Sequence, residues 1–300
     1  MEPVPAQEFE EMIIEVAKII RLEREQGKLG SGATIDNKLV KLPPHQKAIF
    51  VGDLHGELDS LNEVLRLTNF TDEGTQSDPR GYIVFLGDYV DRGSNSIGTL
   101  AKLFDLKTRF KENVVLLRGN HEVPDVNTRY GFFDEVMKKY PDEGNEVYTL
   151  CNRLFEKFPH AVITANGIFA VHGGIPEKAL TLHEMANLDD NELTQLLWND
   201  PRPEIRGFEP NYDRDPSGLT GIRIFGEDVT ERFLKAVGAK VLLRAHENLE
   251  GAGYAIFSRR VLSIFSARYG RPGWKRAYLD TDLSKTVENT DSIAEDIRLF

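Results

Sequence analysis

The sequence predicts an α/β fold on a mixed or doubled sheet, from three observations. Between residues 48 and 117, apolar runs alternate with stretches of helical periodicity: strand 48–51, helix near 57–67, strand 82–86, helix near 96–107, strand 114–117. Such alternation is the signature of strand–helix–strand units. Tyr82 to Leu86 carry no polar break, and β-branched and aromatic residues in such a run suit a sheet interior. Later runs at 168–171, 241–243, in "YAIFSRRVLSIFSA" and at 275–280 include two strands around a polar turn, so the last strands are expected to be antiparallel.

The flanking segments follow by the same logic. From residue 8 to about 25, Phe9, Met12, Ile13, Val16, Ile19 and Ile20 recur at helical spacing, which predicts a helix packed on the edge of the core. Residues 26–47, glycine-rich and then broken by Pro43 and Pro44, read as a connector. Gly27 and Gly32 have the spacing of a phosphate-cradling loop, but Ala33 and Thr34 stand where that loop needs Lys and then Ser or Thr, which excludes it. The pattern turns helical from about 130 to 158, and residues 281–300 read as a polar, weakly ordered tail. The expected organisation is a helix and connector (1–47) packing on one catalytic domain (48–280), followed by that tail.

Composition narrows the class. The 300 residues are 40% hydrophobic and 28% charged, as in soluble globular proteins. A net charge of −11 argues against a nucleic-acid partner, although metal cations could still supply positive charge for a phosphorylated substrate. One cysteine, Cys151, permits no intrachain disulfide and fits a reducing compartment. No apolar run is long enough to span a bilayer, and Glu2, Glu8, Glu10 and Glu11 do not suit a signal peptide. The expectation is a cytoplasmic protein, with a nuclear location open in a eukaryote, and no membrane partner.

The ends of the apolar strands share one feature. "AIFVGDLHG" delivers Asp53 and His55; "YIVFLGDYVDRG" delivers Asp88, Asp91 and Arg92; "VVLLRGNHE" delivers Asn120 and His121. "IFAVHGG" and "VLLRAHE" end in His172 and His246. In α/β sheets, ligands bind in the crevice beyond the carboxyl ends of the strands. One such end is a turn; five bearing metal-ligand chemistry point to a site. His45, His160 and His183 do not lie at strand ends. Imidazole, amide and carboxylate donors without thiolate suit Mn, Fe or Zn. Six such side chains exceed the need of one tetrahedral metal, so two divalent ions sharing Asp88 fit better. Bound water then becomes acidic near neutral pH, and a metal pair can clamp an in-line displacement.

"GDLHG", "GDYVDRG", "RGNHE", "HGG" and "RAHE", in this order over residues 50–267, resemble the motif set of the phosphoprotein phosphatase family of serine/threonine phosphatases, in the metallophosphoesterase superfamily. "RYGFFDEVMKKY" and "LWNDP" resemble stretches of its protein-phosphatase branch. The resemblance implies a central β-sandwich of mixed sheets flanked by helices, the calcineurin-like fold. It implies hydrolysis of phosphomonoesters on phosphorylated proteins or peptides by a hydroxide bridging the metals, with no covalent enzyme intermediate; regulatory subunits are left open. It assigns Asp53 and His55 to one metal, Asp88 to both, and Asn120, His172 and His246 to the other. His121 matches the general acid and Asp91 its orienting carboxylate, while a third-ligand role for His121 stays open. Arg92 matches a phosphate clamp, whose planar fork lysine lacks, and Asn120 adds a phosphate contact.

The sequence also departs from the family. A second phosphate-binding arginine is usual about six residues before "FG", where Leu219 and Thr220 stand; Arg223 and Arg214 are the candidates to replace it. "RYG" (268–270) is shorter than the usual toxin-sensitive loop and lacks its cysteine, though Tyr269 is expected to border the site. Two other readings remain: a dinucleoside polyphosphate hydrolase of the same superfamily, and a non-catalytic phospho-binding scaffold. A cysteine phosphatase is excluded, because Lys157 stands six residues after Cys151 where that chemistry needs Arg.

Overall fold

Every side chain of the strand that opens at Gly81 is buried, because both faces of its sheet are covered. The computed structural model describes residues 4–30, 32–44, 46–70, 81–178 and 181–300; Glu2 and His45 lie outside them. Helix α1 (Ala6–Gln26) buries Phe9, Ile13, Val16 and Ile20 at helical spacing and stops at Gly27, whose φ of 65° lets its N–H return to the carbonyls of Glu23 and Arg24. Three short strands follow, β1 (Lys28–Gly30), β2 (Ala33–Asp36) and β3 (Leu39–Leu42). Next come β4 (Lys47–Val51), α2 (Leu58–Thr68), β5 (Gly81–Phe85), α3 (Ser96–Arg109) and β6 (Val114–Leu116). Helices α4 (Pro124–Asn127), α5 (Phe132–Lys139) and α6 (Gly144–Phe155) lead to β7 (Ala161–Thr164) and β8 (Ile168–Val171).

The second half runs α7 (Leu182–Met185), α8 (Asp190–Trp198), β9 (Asp200–Pro201), β10 (Phe208–Pro210), β11 (Arg223–Phe225) and α9 (Glu227–Val237). It closes with β12 (Val241–Arg244), β13 (Tyr254–Ser258), β14 (Val261–Ile264), β15 (Ala277–Asp282) and β16 (Ile297–Leu299). One sheet has the order β1-β2-β3-β7-β8-β12-β14-β13, the other β16-β15-β4-β5-β6, and β10-β11-β9 form a small third. In the five-stranded sheet β4, β5 and β6 are parallel and β15 and β16 antiparallel, so the sheet is mixed. The expected β-sandwich flanked by helices is the architecture found.

Alternation along the strands builds three apolar layers. Tyr82, Val84 and Leu86 face the middle of the sandwich with Ile168, Ala170, Leu243 and Ile264 of the other sheet. Ile83 and Phe85 face the helical layer of α1, α2, α3 and α6. On the far side Phe169, Val171 and Leu242 meet Val229, Phe233 and Leu234 of α9. Each fully buried side chain of this size contributes about 1.5–3 kcal/mol. Helix α1 is also held by a buried ion pair: Lys107 Nζ donates to Glu23 Oε1 (2.6 Å) and to the carbonyls of Lys111 and Val114.

Two expectations are corrected. Residues 26–47 are more than a connector: β1, β2 and β3 form an antiparallel meander, and β3 pairs parallel with β7. The glycines and prolines mask two four-residue runs, the alternating β2 and the mostly buried β3, joined through Asn37, which takes φ 47°. Residues 281–300 are not a weakly ordered tail either. β15 continues to Asp282, β16 pairs with it, and Val287 and Ile293 plug the sandwich core. A few well-spaced apolar anchors suffice there despite the polar composition. No helix among the described residues is long and apolar enough to cross a membrane.

Candidate metal centre and active-site cleft

The loops after β4, β5, β6, β8 and β12 meet at one end of the sandwich. Their backbones are knitted first: Leu54 and His55 N–H both donate to Asp88 O (3.0 and 2.8 Å), and Ala245 N–H to His172 O (2.9 Å). Glu122 supplies a central joint. Its buried carboxylate accepts the N–H groups of Asp88, Tyr89 and Gly119 at 2.8–2.9 Å, and burial pushes its pKa up to about 7. Gly119 is required, because a Cβ there would lie 2.3 Å from Asp88 Oδ1.

His55 Nδ1 faces the carbonyl of Val90 (3.0 Å) and His172 Nδ1 that of Leu86 (3.0 Å). A carbonyl only accepts, so both Nδ1 atoms carry a proton, and Nε2 is the ring atom of each left to face the neighbouring acids. His55 Nε2 lies 3.5 Å from Asp53 Oδ2 and 3.4 Å from Asp88 Oδ2. His172 Nε2 lies 3.3 Å from Asp88 Oδ1, 2.7 Å from Asn120 Oδ1 and 3.2 Å from His246 Nδ1. Two groups of acceptors thus converge, with Asp88 common to both. Asp53 Oδ1 accepts the His246 N–H (2.9 Å), yet its buried Oδ2 has no hydrogen-bond partner among the described residues. Burial holds the His172 pKa down to about 4 and that of His246 far below the usual range, which keeps both imidazoles neutral. Burial, then the charges of Asp53 and Glu122, push Asp88 well above the ordinary carboxylate range. Neutral imidazoles, an orphaned carboxylate oxygen and a strained shared carboxylate fit a pair of cations and no apolar occupant.

His121 stands beside these groups. Its N–H donates to Asp88 Oδ1 (2.9 Å), its Nδ1 lies 2.6 Å from Asp91 Oδ2, and its Nε2 is 3.9 Å from Asp88 Oδ2. Asp91 Oδ1 accepts the Phe132 N–H (2.8 Å), so the carboxylate is fixed at both ends; burial pushes its pKa up to about 6. Potential metal-binding atoms of His55, Asp88 and His121 lie within 4.8 Å of one another, as do those of Asp88, His172 and His246.

A family model of the calcineurin-like phosphoesterases matches residues 47–249. The chain belongs to that family. A probable serine/threonine-protein phosphatase of Encephalitozoon cuniculi (strain GB-M1) is 36% identical over 228 residues, 74% of this chain and 47% of the relative. A protein phosphatase 2A catalytic subunit of Dictyostelium discoideum is 33% identical over 225 residues, 72% of this chain and 67% of the relative. A solved Saccharomyces cerevisiae serine/threonine phosphatase, noted for similarity to human phosphatase PP5, superposes with a TM-score of 0.79 at 25% identity, over 99% of this chain and 89% of that one. The chain lies in the serine/threonine-phosphatase branch, and it spans about half the length of the Encephalitozoon relative.

In this chain the two acceptor groups floor a cleft of about 770 Å³. Arg92, Arg202 and Arg214 line it, with Tyr130, Trp198, Tyr269 and the acids Glu204, Asp213, Glu247 and Glu250. Arg92 does not pair with Asp91; its guanidinium sits over the Tyr130 ring (4.8 Å) and near that of Tyr269 (5.8 Å). Tyr269 borders the cleft, 5.3 Å from the His55 ring. Its loop is held by Glu57, whose carboxylate accepts the N–H of Arg268 (3.1 Å). Arg223 is not brought to the cleft: it pairs with Glu177 (3.3 Å). Arg214 does line the cleft, held by Asp200 Oδ2 (2.9 Å), while Arg244 bridges Asp200 and Glu247 (2.9 and 2.7 Å) and Arg202 joins Glu247 (3.0 Å). Sequence reasoning passed over Glu122, Glu57, Asp200 and Glu247 as positioning groups. The available signal was an acid directly after the histidine in both "GNHE" and "RAHE".

Proposed function

We propose that the chain is a metal-dependent phosphatase acting on phosphoserine and phosphothreonine in proteins. One observation carries this reading: two acceptor groups share Asp88, and beside them His121 is fixed by Asp91 at 2.6 Å. Asp53, His55 and Asp88 would hold one divalent ion, and Asp88, Asn120, His172 and His246 the other, with Mn, Fe or Zn suited to these donors. Bound, the pair supplies Lewis-acid charge to phosphoryl oxygens and acidifies water near neutral pH. His121, with one proton on Nδ1 committed to Asp91, would carry a second on Nε2 as the imidazolium and give it to the leaving oxygen, returning to the neutral ring. Arg92, stacked on Tyr130 and without a carboxylate partner among the described residues, is the group to grip the phosphate, with Asn120 and Tyr269 at its border. The second clamp passes from Arg223 to Arg214, the arginine of the two that lines the cleft.

The charge balance supports a protein substrate over a dinucleoside polyphosphate. Arg202 and Arg214 are tied to Glu247 and Asp200, acids that Arg244 shares, and Glu204, Asp213 and Glu250 add negative charge. Arg92 is the cleft's cation without a carboxylate partner among the described residues, enough with Arg214 for one phosphate and short of what a polyphosphate chain needs. The site of action is the cytoplasm, or the nucleus in a eukaryote. The test compares kcat/KM for a phosphoserine peptide and for diadenosine tetraphosphate at one metal concentration and pH. The peptide is expected to turn over efficiently and the dinucleotide weakly; the reverse order would favour the polyphosphate hydrolase. Tight phosphopeptide binding with no turnover under added Mn²⁺ would favour the scaffold.

A further inference from the structure

His160 takes no part in the cleft. It is 5% exposed, and both ring nitrogens are buried without a hydrogen-bond partner among the described residues. A buried polar group left unpaired is rare in folded proteins and calls for an occupant or a strained site. The charged groups that act on this ring are cations: Lys38, Arg118 and Arg24. They come from three elements fastened around the 158–160 segment. The His160 N–H donates to Lys38 O (2.8 Å), the Arg118 N–H to Pro159 O (2.9 Å), and Lys38 Nζ to Phe158 O (3.0 Å). Arg24, in the last turn of α1, donates to Asn37 Oδ1 next to Lys38. Lys157 adds a further like charge on Lys38, and Glu156 is the acid that acts on both Lys38 and Arg118. The Glu122 carboxylate, also near Arg118, is already committed to three backbone N–H groups.

In a chain of net charge −11, this is a concentration of positive charge around an unpartnered imidazole, with Glu156 as a partial counterweight. A water molecule could bond the ring but would bring no negative charge to the surrounding cations. A planar carboxylate has two oxygens for guanidinium, ammonium and imidazole donors arriving from separate elements; a tetrahedral anion has four. A hollow of about 400 Å³ bordered by Arg21, Arg24, Glu25 and Asn37 opens beside Arg24.

We propose that Arg24, Lys38, Arg118 and His160 form a binding site for a small tetrahedral oxyanion of the phosphate or sulfate type. The site joins the N-terminal helix to the metal-binding loop, because Arg118 Nε donates to the backbone carbonyl of Glu122 (3.2 Å). Equilibrium dialysis of the metal-loaded chain against radiolabelled inorganic phosphate tests it. Two sites are expected, one weakened in Arg92→Ala and the other untouched by that change but weakened at least tenfold in Arg24→Gln. His160→Asn should remove the second site; if that variant does not fold, Arg24→Gln and Lys38→Met, on partly exposed side chains, decide alone. Competition by unlabelled sulfate at the second site would identify general oxyanion chemistry, and its failure a phosphate-specific site. A single bound phosphate in the wild type, sensitive to Arg92→Ala and indifferent to Arg24→Gln, would overturn the proposal.

Discussion

The floor and the wall of the cleft are built on opposite plans. On the floor, Asp53, His55, Asp88, Asn120, His172 and His246 are buried, and their loops are locked by backbone hydrogen bonds and by Glu122. Along the wall, Glu204, Asp213 and Glu250 stand exposed, and the arginines among them are balanced by acids. Backbone strain runs through both. His55, Asp88, Asp91 and His246 take positive φ on the floor, and Arg92, Leu249, Glu250 and Tyr269 do so along the cleft, a conformation that costs about 1–3 kcal/mol and is kept where the surroundings impose it. The lesson is that buried, backbone-locked side chains are concentrated where charge must be held at set distances, and exposed ones where a substrate chain must pass.

The strongest challenge to that division is removal of a floor histidine. In His172→Ala turnover is expected to fall below detection and metal content to drop, read by elemental analysis and a phosphopeptide assay; normal metal content with full activity would dissolve the distinction. Next comes His121→Asn, expected to lower kcat by about 10²–10⁴ while both metals stay bound. Its effect should shrink for aryl phosphates, whose leaving groups need less protonation; metal loss equal to that of His172→Ala would make His121 a ligand instead. On the wall, Arg214→Ala should lower kcat/KM roughly 10–100-fold, as loss of a charge-assisted contact does. Arg223→Ala should stay within about twofold, as surface changes do; equal losses would return Arg223 to the site. The smallest effect on catalysis belongs to Glu23→Gln. Leaving Lys107 buried and unpaired should cost about 3–5 kcal/mol of stability in a denaturant titration, with kcat unchanged in the protein that remains folded.

The floor was legible in the sequence and the wall was not, for a physical reason. Each floor residue follows a continuous apolar strand within a few positions, so local pattern fixes both the strand and its end, as Tyr82–Leu86 fixes Asp88. The direction of an arginine in residues 211–222 depends instead on a loop shaped by Asp215, which accepts the N–H groups of Ser217 (3.0 Å) and Thr220 (2.8 Å). Spacing from Phe225 cannot report that. β1–β3 escaped notice because their runs are short and β3 finds its partner β7 over a hundred residues later. Glu122 escaped because its three backbone partners come together only when β5 and β6 lie side by side.

The bond from the His246 N–H to Asp53 joins residues 193 positions apart. A ribosome extends a chain at ~5–20 residues per second, so Asp53 leaves it roughly 10–40 seconds before His246 does. Throughout that interval β4 and β5 can pair and bring Asp53, His55 and Asp88 together, while the other histidines are still unmade or unplaced. The nascent chain therefore carries a cluster of acids with half of its ligand set missing. The second group of ligands, and with it the whole site, is complete only once residues 241–246 have docked. A truncation or stalled translation before that point leaves a product that is catalytically silent and exposes the apolar face meant for β12.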